Sequence, residues 1–358
     1  MKKGTNSALM RIKNEKMILS MINKNPVSRA EIAKETGLTK AAVTIIVDEL
    51  IKREMIVEKK SATASVGRNP LNLYLNGKSL YFIGIDVSRV DISVGIVDLC
   101  GKVICETCFP VCDSKTAFEK IKIIIDKMLL ENKIDKDKIY KAGISVPGPV
   151  DIEKGKVLNP PNFKLWHNAE VSELARIILN TEAVFDNVSK AAAVSEKYFG
   201  AAKESENFLS LIIDEGIGTG IFTDNILLKK PCEMGHITIE YDGIPCECGN
   251  KGCLEKYASI PVFLKKYNLK KWEDASDSQI EIMAEYIVNA VITANNIFLI
   301  DKVVLKGDVA KNADKLIELI SEKCNVNLLN NKIEISAGTV NSKTLIAASL
   351  AIHNYFEY

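Results

Sequence analysis

The sequence predicts a winged helix-turn-helix domain, mostly α with a β wing, followed by a larger α/β domain of two lobes. Three observations predict it. Residues 1–78 carry three short helical patterns and then two alternating strand patterns around a Ser/Gly-rich tip. From Tyr81 onward, strand-type runs alternate with helical patterns in two successive sets of similar order, which implies two related lobes with a cleft between them. The charge is divided as well: 15 Lys and Arg stand against 7 Asp and Glu in residues 1–78, although the whole chain of 358 residues has a formal net charge of only +1. The boundaries fall at 1–78, 79–200 and 201–358.

In the first domain, Met17, Ile18, Met21 and Ile22 recur at helical spacing over 14–23. The next segment reads PVSRAEIAKETGL. Ser28 caps a helix, Glu31 completes a capping box three residues later, and Gly37 ends it. Thr39 caps a third helix whose buried stripe is Val43, Ile46, Val47 and Leu50, which leaves Lys40, Ala41, Thr44, Ile45 and Asp48 facing out. MIVEKK and NLYLN then alternate as two strands, with SATASVGRNP as the tip of the wing.

The first lobe opens with YFIGIDVS, VDISVGIVDL and KVICETCFPV, three strand-type runs separated by short turns. An amphipathic helix over 115–132, the buried strand KAGISVPG, a helix over 170–179, the strand AVFD and a helix over 189–198 complete it. After Asn207 the second lobe begins with FLSLIID and GIGTGIFTD and passes through a cysteine-rich segment. It continues with helices over 276–299, the strand DKVVLK, a helix, the strand KIEIS and a final helix.

Composition excludes several classes. Hydrophobic residues make up 47% of the chain and charged residues 26%, as in ordinary globular proteins. No apolar run reaches the roughly 18 residues that span a bilayer, and MKKGTNSALMRIKNEK lacks the apolar core of a signal peptide; a cytoplasmic protein with no membrane partner is expected. The nine cysteines are odd in number in a long chain with no export signal, so reduced thiols and a metal site are expected in place of a disulfide framework.

The metal candidate is GHITIEYDGIPCECGNKGCLE. His236, Cys246, Cys248 and Cys253 offer one imidazole and three thiolates within 18 residues, and Gly249 and Gly252 permit a tight loop. Four protein ligands leave no open position for an activated water, so one structural zinc ion per chain is expected.

A helix that enters the major groove needs short side chains near its start. Thr44 can donate or accept, Ala41 and Ile45 can touch a thymine methyl, and Arg29, Lys34, Lys52, Lys59 and Lys60 would neutralise phosphates. The turn GRNP presents Arg68 in a shape suited to an AT-rich minor groove. The candidate DNA-reading set is Ser28, Arg29, Thr39, Lys40, Ala41, Thr44, Ile45 and Arg68.

Taken together, SRAEIAKETGLTKAAV, SVPGPVD, PPNFKLW, DNVSKAAAVSEKYFGAA, GIGTG, EMGH and CECGNKGCLE make the chain resemble the ROK family, which groups sugar-responsive repressors with sugar kinases. The resemblance covers nearly the whole chain and is to the repressor branch; the wording around EMGHITI is nearest to xylose-responsive members. It implies an actin-like (RNase H-like) sugar-kinase fold for the two lobes. Carried over by motif, it also implies a sugar site of Asn162, Asn187, Glu233, His236 and Glu255, with His236 shared between zinc and sugar.

The departures from the family pattern bear on catalysis. Kinase members carry Asn-Asp where this chain has Asn187-Val188, and an aliphatic side chain cannot take a proton. Val87, Ser88 and Arg89 follow Asp86 where a glycine-rich phosphate loop is usual. Asp214 and Glu215 replace Gly-Thr in the second loop, and Lys306 replaces a glycine in VVLKGD. The segment between GIGTG and EMGH is short, and Lys190 stands where Asn is usual, so the sugar pocket is altered too. The expectation is a non-enzymatic repressor of carbohydrate-utilisation genes, a homodimer or tetramer on a palindromic, AT-rich double-stranded operator, modulated by a sugar effector. The alternative is a ROK sugar kinase with an accessory N-terminal domain.

Overall fold

The computed structural model describes residues 7–60, 71–311, 313–327 and 332–357, except the side chains of residues 7, 8, 326 and 327. The chain divides into two compact units, Met1–Asn187 with Ser342–Tyr358, and Val188–Asn341.

The first unit begins with α1 (Ser7–Lys24), α2 (Arg29–Thr36) and α3 (Lys40–Lys52), followed by β1 (Ile56–Lys60) and β2 (Leu71–Leu75). Ser28 and Glu31 form the capping box, and Gly37 closes α2 at a φ of +70°, a backbone conformation that costs a glycine nothing. Thr39 accepts the N–H of Ala42 to start α3. The strands pair antiparallel from Ile56 against Leu75 to Lys60 against Leu71. Ile18, Leu19, Ile32, Val43, Val47, Leu50, Ile56 and Leu73 are buried together in this small head, each contributing about 1.5–3 kcal/mol of transfer free energy. The wing tip, with Arg68, lies outside the described residues.

The body of this unit is a five-stranded sheet built from β3 (Tyr81–Val87), β4 (Asp91–Asp98), β5 (Val103–Pro110), β6 (Ile139–Val146) and, after the short pair β7 (Val150–Asp151) and β8 (Lys156–Val157), β9 (Ala183–Asn187), in the order β5-β4-β3-β6-β9. Two helices accompany it: α4 (Ser114–Glu131), and α5 (Val171–Leu174), which runs on as a π-helical turn over Ala175–Leu179. β3 is buried along its whole length. Its odd-numbered residues Ile83 and Ile85 pack in one core with Phe118, Ile121 and Ile125 of α4, as the two-residue strand period requires.

The second unit opens with α6 (Val188–Phe199). Its sheet combines β10 (Phe208–Ile213), β11 (Ile217–Thr223), β12 (Ile226–Leu227), β13 (Lys302–Lys306) and β14 (Glu334–Ala337) in the order β12-β11-β10-β13-β14. Between β12 and β13 come the cysteine-rich segment and α7 (Glu255–Ala258), α8 (Ile260–Tyr267) and α9 (Asp277–Phe298); α10 (Asp314–Asn327) precedes β14. β10 pairs antiparallel with β11 and parallel with β13, matching the strand order of the first unit.

The last helix, α11 (Lys343–Phe356), belongs to the first unit, where it packs on β3 and β6. The units therefore divide at 187/188, earlier than the expected 200/201, and the last residues return to the first unit. Glycine placement explains the return. A β-carbon at Gly84 or Gly143 would lie 2.1 Å from the backbone oxygen of Thr344 or Ala347, so the two bare positions form a bed on which the helix backbone rests directly. The head likewise shares its compact unit with the first sheet, because α1 packs against α11. Among the described residues, no helix is long and apolar enough to cross a membrane.

Candidate functional site

The reader face follows from the period of α3. Val43, Ile46, Val47 and Leu50 point into the head, while Lys40, Ala41, Thr44, Ile45 and Asp48 are exposed, Ile45 at 62%. Such exposure of an isoleucine contributes nothing to folding. The Thr44 hydroxyl donates to the carbonyl of Lys40 at 2.8 Å, which leaves its lone pairs as acceptors. Ser28 and Thr39 are engaged as caps. Arg29 is drawn inward: it donates to Asp48 at 2.7 Å and to Glu58 at 3.0 Å, tying α2, α3 and β1 together.

The four candidate metal ligands sit on or beside a knuckle between β12 and α7. Main-chain bonds from Ile239 to Gly252 (2.8 Å), from Gly252 to Ile244 (2.9 Å) and from Cys246 to Asn250 (2.8 Å) fold the segment back on itself. Gly252 has a φ of +69°, and a β-carbon there would lie 1.7 Å from the carbonyl oxygen of Glu240. The two hairpin arms are joined laterally by Asn250 donating to Thr238 at 2.8 Å.

This fold brings all four expected ligands together. Cys248 Sγ and Cys253 Sγ are 3.6 Å apart, Cys246 Sγ and His236 Nδ1 are also 3.6 Å apart, and every ligand atom lies within 4.8 Å of the others. A tetrahedral zinc ion with Zn–S bonds of about 2.3 Å spaces its sulfurs by roughly 3.8 Å, so the set fits. Burial, with Cys248 and Cys246 alongside, pushes the Cys253 thiol up to about 12. The backbone N–H of Asn250 holds Cys248 below the usual thiol range. Three thiols this close ionise together only when a cation offsets their charge.

The sugar candidates divide between the units. In the first unit, Asn162 is exposed with a φ of +56°, and Asn187 is half-buried at the end of β9, where its N–H bonds the Asp186 carboxylate at 2.7 Å. In the second unit, Glu233 is exposed and stands at the N-cap of the short turn Met234–His236 without a side-chain cap bond. Glu255 accepts the N–H of Ile217 at 2.8 Å and packs against Gly216. His236 offers Nδ1 to the metal cluster.

The segments that depart from the family's kinase pattern make bonds within the chain. In the β3–β4 turn, Ser88 Oγ accepts the N–H groups of Val90 at 3.2 Å and of Asp91 at 3.0 Å. In the second unit, Asp214 accepts the N–H of Asp308 at 2.8 Å. Lys306 is buried and donates to Glu196 and to the carbonyl of Val340, both at 2.6 Å. Val188 begins α6 and brings no base. Sequence reasoning named Lys306 but missed Glu196; the available signal was a lone carboxylate within the apolar run AAAVSEKYF.

Comparison with known proteins agrees with this geometry. A profile of the ROK family matches residues 82–351, and a profile of the MarR family matches residues 13–65. The xylose repressor of Bacillus subtilis is 34% identical over 266 residues, covering 72% of this chain and 68% of that protein. A solved ROK family transcriptional regulator, a homologue of the Escherichia coli MLC protein, is similar with a TM-score of 0.80 at 22% identity over 97% of each chain. A ROK hexokinase from Thermus thermophilus is similar with a TM-score of 0.66 at 21% identity, covering 76% of this chain and 97% of its own. At those identities the two structures establish the fold: a winged helix-turn-helix domain followed by a domain of the ROK sugar-kinase fold.

Proposed function

From the premise that the chain belongs to the ROK family, we propose that it is a sugar-responsive transcriptional repressor without kinase activity. The observation that carries the reading is the bonding in the loops that depart from the kinase pattern: Ser88 takes the N–H groups of Val90 and Asp91, and Asp214 takes that of Asp308, which we read as donors withheld from a nucleotide. A phosphoryl-transfer site works by positioning and charge stabilisation, and an aspartate at that point repels phosphate. Val188 removes the proton acceptor as well.

The head reads double-stranded DNA through Lys40, Ala41, Thr44 and Ile45 of α3, with Ser28, Thr39 and Arg68 completing the interface. Arg29 acts chiefly by holding the recognition helix to the wing. A dimer presenting two such heads matches a palindromic, AT-rich operator. His236, Cys246, Cys248 and Cys253 hold one structural zinc ion, which supplies no reaction chemistry and keeps the knuckle folded. The sugar-binding residues carried over from the family are Asn162, Asn187, Glu233, His236 and Glu255; His236 keeps Nε2 for the sugar. Xylose is the first sugar to test, since the B. subtilis relative is a xylose repressor.

Two experiments decide the reading. A gel shift with the DNA upstream of the chain's own gene, at moderate salt, should show a discrete complex; no complex at micromolar protein would overturn it. A thermal-shift screen against pentoses and hexoses should find a stabilising sugar that weakens that complex. Release of ADP in a coupled assay with any of those sugars would favour the kinase alternative.

A further inference from the structure

Within the first unit, a cavity of about 60 Å³ opens between α4 and the start of β6. Its floor is apolar, with Ile83, Ile125 and Leu179 all buried. Its rim is polar and carries Lys122 of α4, Lys136 of the short turn Lys136–Lys138, and Thr181. The far end of β6 pairs with Asn187, so the length of that strand, about 20 Å, separates the cavity from this sugar candidate. The backbone beside it is irregular. Ahead of β9 the chain makes the π-helical turn Ala175–Leu179 and leaves it through Asn180, in the left-handed region at a φ of +53°. A π turn holds one residue more than an α turn, and such turns concentrate at functional sites. The N–H of Thr181 reaches the carbonyl of Ala175 at 3.5 Å, a long bond that closes the turn loosely over Leu179.

Charge and size restrict what the cavity can hold. Lys122 makes no ion pair or hydrogen bond among the described residues. Lys136 approaches Asp126, also on the rim, at 3.9 Å, too far for a hydrogen bond. Both ammonium groups therefore keep donors for a ligand, and two cations against one carboxylate leave the rim positive. A single water needs about 10–15 Å³ on this measure, so the space holds about four to six water-sized positions. That suits a carboxylic acid of about four carbons. A sugar would turn hydroxyl groups onto an apolar floor without partners, and an amine would meet two like charges.

We propose that this cavity is a second ligand site, which binds a short aliphatic monocarboxylate with its carboxylate at Lys122 and Lys136 and its alkyl chain on Ile83, Ile125 and Leu179. The division between a few polar groups and an apolar wall is that of small-molecule sites in general. The site belongs to the first unit alone and stands apart from the repressor reading, since its ligand differs in chemistry from a sugar.

The test uses the full-length chain and sodium butyrate, with sodium chloride at equal ionic strength as the blank. Calorimetry should give a saturable heat in the millimolar range or tighter, and saturation-transfer NMR should show the terminal methyl group in closest contact with the protein. Butyramide has the same shape without the charge and should bind about tenfold more weakly or worse. Lys122→Met should weaken butyrate by about threefold or more, and Lys122→Arg should return it to within about twofold of the natural chain. Thr181→Phe fills the rim and should abolish the heat. Neither Lys122 nor Thr181 is buried, so the ligand-free melting temperature should hold in all three variants. D-xylose should not displace butyrate. A natural chain with no saturable heat would overturn the proposal, as would butyramide binding equal to butyrate. Unchanged binding in Lys122→Met and Thr181→Phe, or displacement by xylose, would overturn it too. A chain that binds butyrate but no operator would sink the repressor reading and leave this site standing.

Discussion

Lys306 and Glu196 form an ion pair at 2.6 Å inside the second unit, with the glutamate fully buried. Burial works to raise the pKa of Glu196, and Lys306 with the N–H groups of Ala201 and Val340 outweighs it, holding the carboxyl below its usual range. A depressed carboxylate contributes stability that is present above its unfolded pKa and is lost as pH falls through the folded value. Removing one partner leaves an uncompensated buried charge. Lys306→Met should therefore cost about 3–5 kcal/mol, whereas Lys306→Met with Glu196→Leu should recover most of it. Urea titrations of both variants at neutral pH check the order, and equal losses in the two would contradict it.

Asp86 carries the opposite sign. Burial pushes its carboxyl up to about 6, against a partial offset from the Ser145 hydroxyl that donates to it at 2.6 Å. The folded state then binds a proton more readily than the unfolded one, so stability falls as pH rises from about 4 to about 6 and stays low above that. Asp86→Asn keeps an acceptor for Ser145 and removes the charge. It should raise stability by on the order of 2–3 kcal/mol near pH 7.5 and by little below about pH 4. Melting curves across that range read the difference directly.

Much of the fold is legible because local chemistry decides it. The capping box at Ser28 and Glu31, the stripe on α3 and the four ligands of the knuckle are short-range patterns, and the structure reproduces each. What the pattern could not convey is long-range. The return of α11 depends on Gly84 and Gly143 meeting residues some 200–260 positions away, and a glycine in a strand reads the same whether it faces a helix backbone or a bulge. Arg29 counted as a phosphate contact because its partners, Asp48 and Glu58, lie on other elements. Glu196 stands out in the sequence only as a lone carboxylate, because its partner Lys306 lies 110 positions away.

Two glycines of the knuckle, Gly249 and Gly252, should behave differently. Gly252 has a positive φ and the Glu240 carbonyl against it, whereas Gly249, at a φ of +92°, has nothing within 4 Å. Gly249→Ala incurs backbone strain alone, about 1–3 kcal/mol, and should keep its zinc. Gly252→Ala must also push the two arms apart and should lose the metal, whose coordination is worth on the order of 10 kcal/mol. Elemental analysis should find about one zinc per chain in the natural protein and in Gly249→Ala, and far less in Gly252→Ala. Equal zinc in the two variants would show that the knuckle does not depend on that contact.

On the recognition helix, exposure separates reading from folding. Ile45→Ala removes an isoleucine that is 62% exposed, so thermal stability should change by less than about 0.5 kcal/mol, while operator affinity should drop by about 1–3 kcal/mol if the side chain meets a base edge. Arg29→Ala should do the reverse in part, lowering the stability of the head because Asp48 and Glu58 lose their shared partner. Operator binding by Ile45→Ala that matches the natural chain would remove this residue from the interface.

Restoring the missing base should not restore a kinase. Val188→Asp returns a carboxylate to the start of α6, but transfer also needs a nucleotide whose phosphates find free N–H donors. Here Asp214 holds the Asp308 N–H, and Ser88 holds those of Val90 and Asp91. Burial raises the Asp214 carboxyl above its usual range, yet the aspartate stays bonded to that donor whether or not it is charged. A coupled ADP assay on Val188→Asp with xylose and common hexoses should therefore read no sugar-dependent turnover. Turnover in this single variant would mean that a nucleotide displaces Asp214, and that only the base was lost.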